Sequence, residues 1–248
     1  MTIENLTELF LKPSGWLRSQ VEDAPLNASG DSLPWFTYGA IEFLHQVVKP
    51  ADCVFEYGAG FSTLWWQNKV NRVYSVEHDQ AWCERLGEKL QPNVSLFNVE
   101  IDQPISPDNM AHLAPFFKRQ RRTDWPYDPE KIIRRGLADE RFLAYAHHIL
   151  EIGELFDFIV IDGMARRLCT FLAVNYLKPT GFIILDNSNR SDYDLAYILL
   201  EEAGFRQIPF WGLVPGANFL TCTSFFTRSL ERLPSSLFVG NSFGLPEY

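Results

Sequence analysis

From residue 36 onward, short runs of apolar and β-branched residues alternate with amphipathic segments whose apolar positions recur at helical spacing. The pattern predicts a helix over 36–48, strand CVFEY at 53–57, a helix over 62–69, strand RVYSVE at 72–77, a helix over 79–90 and strand VSLFNV at 94–99. Beyond a gap it predicts strand FDFIVID at 156–162, a helix over 165–177, strand GFIILD at 181–186 and a helix over 192–203. Strands alternating with helices are the mark of an open parallel sheet covered on both faces. The rhythm then breaks: FRQIPFWG (205–212) and NFLTCTSFFTR (218–228) are two β-rich runs joined by LVPGA, a hairpin signal. The predicted fold class is α/β, a Rossmann-like, doubly wound, mostly parallel sheet closed by a C-terminal antiparallel hairpin.

Three stretches fall outside that rhythm. Residues 1–35 read as an N-terminal cap segment, and residues 229–248 as a C-terminal tail to the domain at 36–228. Residues 101–155 read as an insertion over the strand ends, with Pro104, Pro107 and Pro115, the basic run 118–122, Trp125-Pro126-Tyr127 and Arg134-Arg135. Its charges suit either a solvated helix face or a substrate lid.

Composition narrows the function classes. The 248 residues carry 22 Lys+Arg against 31 Asp+Glu, a net charge of −9, which argues against a partner held by its phosphate backbone. A small-molecule partner, with neither nucleic acid nor membrane, is the expectation. Cys53, Cys83, Cys169 and Cys222 form no Cys-x-x-Cys pair and read as free thiols of a reducing compartment. The first residues lack a basic region before an apolar run, and no run reaches the roughly 18 residues of a spanning helix. The expected location is the cytoplasm.

The most informative stretch is Val54-Phe-Glu-Tyr-Gly-Ala-Gly-Phe-Ser-Thr, a strand ending in two glycines and leading into a helix with Ser62 near its start. Gly58 and Gly60 let a backbone pass close beneath a ligand. A dinucleotide fingerprint would place a third glycine at 63, where Thr63 stands, and there is no Gly-Lys-Ser/Thr of a phosphate loop. Instead there are acids at the ends of the first two strands, Glu56 and Glu77. A carboxylate at the second strand's end can accept two hydrogen bonds from vicinal ribose hydroxyls. An acid at the first would repel a pyrophosphate and suit an ammonium group. Together with Asp162 and Asp186 these acids are expected to face one crevice beyond the strand ends.

These pieces resemble class I S-adenosylmethionine-dependent methyltransferases: Glu56-Tyr-Gly-Ala-Gly-Phe-Ser62, then Val76-Glu77-His78-Asp79, Phe156-Asp-Phe-Ile-Val-Ile-Asp162-Gly163, Gly181-Phe-Ile-Ile-Leu-Asp186-Asn187 and the closing hairpin. The resemblance spans roughly residues 36–228. It implies S-adenosylmethionine as cofactor, with Glu56, Tyr57, Gly58, Gly60 and Ser62 at its methionine end, Glu77 on the ribose, His78 framing the adenosine and Asp102 near the adenine. Ser62, where many members have glycine, is similar to small-molecule O-methyltransferases, so the implied acceptor is a small-molecule hydroxyl.

Asp162, Asp186 and Asn187 also resemble the metal ligands of catechol- and caffeoyl-type O-methyltransferases, which would make Mg²⁺ a second cofactor. The lysine that usually follows the first Asp there is replaced by Gly163-Met-Ala-Arg166-Arg167. The alternative is that Asp162 polarises the substrate or cofactor directly and Asp186-Asn187 caps a loop. Asp162 is the first candidate for the catalytic position. Of the five histidines, His45, His78, His112, His147 and His148, only the last two stand where one could serve as base. Trp35, Phe36 and Tyr38 suit either an acceptor wall or plain core packing. Two other functions fit part of the pattern: an NAD(P)-type Rossmann oxidoreductase, and a non-catalytic module that binds S-adenosylmethionine.

Overall fold

The computed structural model describes residues 3–120 and 139–234. Seven strands form one sheet: β1 Cys53–Tyr57, β2 Arg72–Glu77, β3 Val94–Asn98, β4 Phe156–Ile161, β5 Leu177–Leu185, β6 Arg206–Leu213 and β7 Leu220–Thr227. Their order is β3-β2-β1-β4-β5-β7-β6. The first five are parallel, and β7 enters antiparallel between β5 and β6, so the fold class is the one the pattern predicts. The order reverses between β1 and β4, and a crevice at such a reversal, beyond the carboxyl ends of the strands, is where these sheets bind ligands.

The helices used below are α1 Trp16–Glu22, α2 Tyr38–Val47, α3 Phe61–Trp66, α4 Gln80–Gly87, α5 Pro107–Gln120, α6 Leu143–Ile152, α7 Arg166–Ala173 and α8 Asp194–Glu202. Strand parity sorts the core into two layers, because successive side chains point to opposite faces. Phe55, Tyr57, Ile159, Ile161, Ile183 and Leu185 pack with Tyr145 and Ile149 of α6, Leu168 of α7 and Leu195 of α8. Val54, Phe158, Val160, Phe182, Ile184 and Phe225 pack on the other face with Ile41 and Leu44 of α2 and Trp65 and Trp66 of α3. β1, β4 and β5 are buried on both faces, which is why they read as continuous apolar runs.

β6 is an edge strand with exposed Arg206 and Gln207, and it carries Pro209, which such an edge tolerates. β5 starts at Leu177, four residues before the predicted start. The register with β4 shifts between Phe156 and Phe158, and the irregularity accommodates Lys178-Pro179-Thr180 within the strand. In the 101–155 stretch, α5, a 3₁₀ turn at Asp139–Phe142 and α6 are described. The side chains of 118–135 that suggested a lid, and that of His112, lie outside the described residues. All four cysteines are free thiols. No helix among the described residues is long and apolar enough to cross a membrane.

Candidate functional site

A cavity of about 230 Å³ opens beyond the ends of β1, β2 and β4, lined by Trp35, Gly58–Ser62, Glu77, Trp82, Asp162 and Gly163. Two backbone turns make its floor. Gly58 has φ +97°, and a Cβ there would lie 2.8 Å from the backbone of Gly163. Its N–H donates to the Val76 carbonyl, 2.9 Å, fastening the turn to β2. A Cβ on Gly163 would in turn lie 2.1 Å from the Tyr145 hydroxyl. Both glycines are therefore required for backbone to meet backbone at the crevice.

The position that lacks the dinucleotide glycine has its own work. Thr63 Oγ1 accepts the Gly60 N–H at 2.9 Å and donates to Glu56 Oε2 at 2.7 Å. Glu56 is fully buried; Oε2 also accepts from Ser75 Oγ at 2.8 Å, and among the described residues none bonds Oε1 with good geometry. Burial raises its pKa to about 7, against the pull of bonds from Thr63, Ser62 and Ser75. Parity explains this position: Glu56 shares the face of Val54, under α3, so its side chain lies beneath the glycine turn and not on the cavity wall.

Glu77 ends β2 at 7% exposure. Its Oε1 accepts the backbone N–H groups of His78 (2.8 Å) and Asp79 (3.0 Å), and His78 Nδ1 lies 2.7 Å from the same oxygen. Oε2 accepts no bond from the described residues, which leaves a pre-oriented acceptor at the cavity wall. Asp79 caps α4 by accepting from the Trp82 N–H, 2.8 Å, and the Trp82 indole donates to the Ala59 carbonyl, 2.8 Å. Trp35 donates its indole N–H to the carbonyl of Pro215 in the β6–β7 loop, 2.9 Å.

Asp162 sits opposite. Arg166, at the start of α7, donates to its Oδ1 at 2.9 Å and to its carbonyl, and also to the carbonyls of Gly163 (2.9 Å) and Asp186 (2.6 Å). One buried guanidinium thus ties the ends of β4 and β5 together. Burial raises the pKa of Asp162, and Arg166 pulls it back down. Asp186 is 2% exposed and accepts from Thr223 of β7; burial and the nearby Asp162 push its pKa up to about 7.

This arrangement does not fit Mg²⁺. The Asp162 carboxylate already has a fixed cation in Arg166, which also holds the Asp186 main-chain carbonyl, the Asp186 carboxyl is turned into the sheet toward Thr223, and the Asn187 amide donates to Thr221, 3.4 Å. Among the described residues no group of three or more His, Cys, Asp or Glu side chains is arranged to hold a metal ion. The expectation of a metal on Asp162, Asp186 and Asn187 is corrected accordingly: Arg166, in the stretch that replaces the expected lysine, supplies the positive charge.

Of the residues expected to form the site, the structure brings Gly58, Gly60, Ser62, Glu77 and Asp162 around one cavity. Tyr57 points to the opposite face, where its hydroxyl donates to the Ala146 carbonyl, 2.8 Å. His78 packs edge-on against Phe142 and Tyr145, off the cavity wall. Asp102 is exposed and paired with Arg141, 2.6 Å. His147 is buried in α6, and His148 lies over Phe97 with Nδ1 2.8 Å from Glu151, so neither faces the glycine turns. His45 packs against Trp65. Phe36 and Tyr38 are core residues, and Trp35 alone of that trio reaches the cavity. Two contributors were not expected, Trp82 and Arg166. A tryptophan three residues past a helix cap reads as core, and Arg166 joins its near neighbours Asp162 and Gly163 to the Asp186 carbonyl of the next strand, a meeting that only the folded sheet brings about.

No protein-family model and no curated protein matches this sequence. Similar solved structures include a precorrin 8W decarboxylase from Methanobacterium thermoautotrophicum, with 16% identity, 77% of this chain and 88% of that one covered, and a TM-score of 0.44. A precorrin-6y C5,15-methyltransferase from Geobacter metallireducens has 14% identity, 76% and 86% coverage and a TM-score of 0.46. An rRNA methylase from Streptococcus thermophilus has 12% identity, 74% and 90% coverage and a TM-score of 0.45. With an rRNA methylase in this group, the expectation of a small-molecule partner to the exclusion of nucleic acid is not upheld. The physical reason is that a whole-chain charge of −9 does not set the local potential: Lys69 and Lys89 line one groove, and the run 118–122 is basic.

Proposed function

We propose that this chain is an S-adenosylmethionine-dependent methyltransferase that delivers the sulfonium methyl group to a hydroxyl oxygen. The observation that carries the proposal is the charge of the cavity wall: two carboxylates, Glu77 and Asp162, stand beside a glycine turn, and no lysine or arginine is among the lining residues. Such a wall repels a pyrophosphate and suits a ligand with ribose hydroxyls and positive charge. The dinucleotide function is thereby disfavoured. Glu77 Oε2 is the acceptor for the ribose, and the bare backbone of Gly58–Gly60 allows close approach by the amino acid end.

Transfer is one in-line displacement: the acceptor oxygen attacks the methyl carbon, the carbon–sulfur bond breaks, and neutral S-adenosylhomocysteine leaves. Asp162 takes the acceptor's proton. Arg166 occupies only its Oδ1; Oδ2 accepts no bond from the described residues, and a carboxylate with a raised pKa is a better base than a free one. Alignment by fixed groups supplies the remainder.

Calorimetric titration of the whole chain with S-adenosylhomocysteine tests this. Binding is expected in the wild type, unchanged by EDTA, and weaker in Glu77→Ala by about 10- to 150-fold, the loss of hydrogen bonds to a charged acceptor. No binding by the wild type would overturn the proposal.

A further inference from the structure

We infer that Trp35, Phe61 and Trp82 form a cation-selective wall that makes the site prefer the sulfonium of S-adenosylmethionine to the neutral thioether of S-adenosylhomocysteine. The inference rests on the cofactor proposed above and specifies how the site distinguishes that cofactor from its product. The Trp35 and Phe61 rings are 6.4 Å apart at 78°, and those of Phe61 and Trp82 are 6.3 Å apart at 49°. Planes inclined in this way form the sides of a box, which suits a rounded, methyl-bearing cation better than a flat ring.

Both indoles are fixed in advance. Their N–H groups are bound to carbonyls of Pro215 and Ala59, so the rings have only their faces to offer a ligand, and little mobility is lost when one binds. Trp35 remains 44% exposed despite that tether. Glu77 and Asp162 line the same cavity and add to its attraction for positive charge. The Arg85 guanidinium lies 5.4 Å from the Trp82 ring centre and occupies one of its faces; among the described residues Trp35 carries no cation. The attraction vanishes when the methyl group leaves, because the sulfur becomes neutral. The wall therefore favours the charged reactant and releases the product.

Competition dialysis with S-adenosylmethionine and S-adenosylhomocysteine, on the whole chain and on Trp35→Leu, Trp35→Phe and Phe61→Leu, tests the inference. Trp35→Leu and Phe61→Leu should each weaken S-adenosylmethionine by about 2- to 30-fold, the range of a cation–π contact, and leave S-adenosylhomocysteine within about twofold. Trp35→Phe loses the tether but keeps a ring, and should retain part of the preference. An equal loss for both ligands in the two leucine variants would overturn the wall and leave the cofactor assignment intact. Failure of the wild type to bind either ligand would overturn the assignment and the wall together.

Discussion

Glu56 is a buried acid whose ordinary pKa of 4.5 is raised to about 7. A folded-state value above the unfolded one means the native protein holds the extra proton, so this contribution to stability is complete below about pH 4.5 and is lost as pH rises toward 7. The slope should be visible as a urea midpoint that falls across that window, by on the order of 3 kcal/mol for this group. Glu56→Gln should remove this group's share of the slope and leave that of Asp186, whose pKa is also raised to about 7. Thr63→Val removes one of the bonds to Oε2 and the Gly60 tether, and is expected to cost about 1–3 kcal/mol, more at pH 8 than at pH 5. The acids at the strand ends were legible in the sequence because acidic residues interrupt otherwise apolar runs. Where Glu56 points was misjudged: expected to face the crevice, it shares parity with Val54 and lies buried beneath the glycine turn. The role of Arg166 was not legible either, because the ends of β4 and β5 that it ties together meet only in the folded sheet.

At the scale of elements, the two glycine turns act as one piece. Gly163→Ala would push a methyl group into the Tyr145 hydroxyl and the Gly58 backbone, and we expect it to lower stability by about 1–3 kcal/mol. In a Tyr145→Phe background the loss should be smaller by a measurable part, and a double-mutant cycle on urea midpoints reads the difference. Strands were the best-predicted elements: β1 and β2 have the predicted ends, since each is a short β-rich run bounded by polar or turn residues, Asp52 and Gly58 for β1, Asn71 and His78-Asp79 for β2. Helices proved shorter than predicted. α3 stops at Trp66 and α7 at Ala173, because side-chain periodicity continues into turns whose hydrogen bonds no longer follow the helix. β5 was misjudged at Pro179 and Gly181, which read as punctuation but are absorbed by a register shift against β4.

For the molecule as a whole, Arg232 joins the last described segment to the start of the sheet. It is 8% exposed, bonds Asp52 and Asp157 (3.2 Å), donates to the Val47 carbonyl (3.2 Å), and lies 4.9 Å from the Phe158 ring. Arg232→Ala would strand two carboxylates, of which Lys178 relieves one. The expected loss is about 3–5 kcal/mol, seen as a melting temperature lower by about 6–20 °C. Such a clamp is invisible in sequence, since its members lie up to 185 residues apart.

The place of β7 between β5 and β6 has a consequence for how the protein is made. Asp186 takes its bond from Thr223, and Trp35 is tethered by Pro215, so the crevice draws on residues synthesised after all five parallel strands. A nascent chain released only as far as β5 carries every residue that lines the cavity, but lacks the tether of Trp35 and the partner of Asp186. The wall of the pocket is therefore complete in the chain before the strands that hold it are made, and Trp35 and Asp186 take their final partners only once β7 has inserted beside β5.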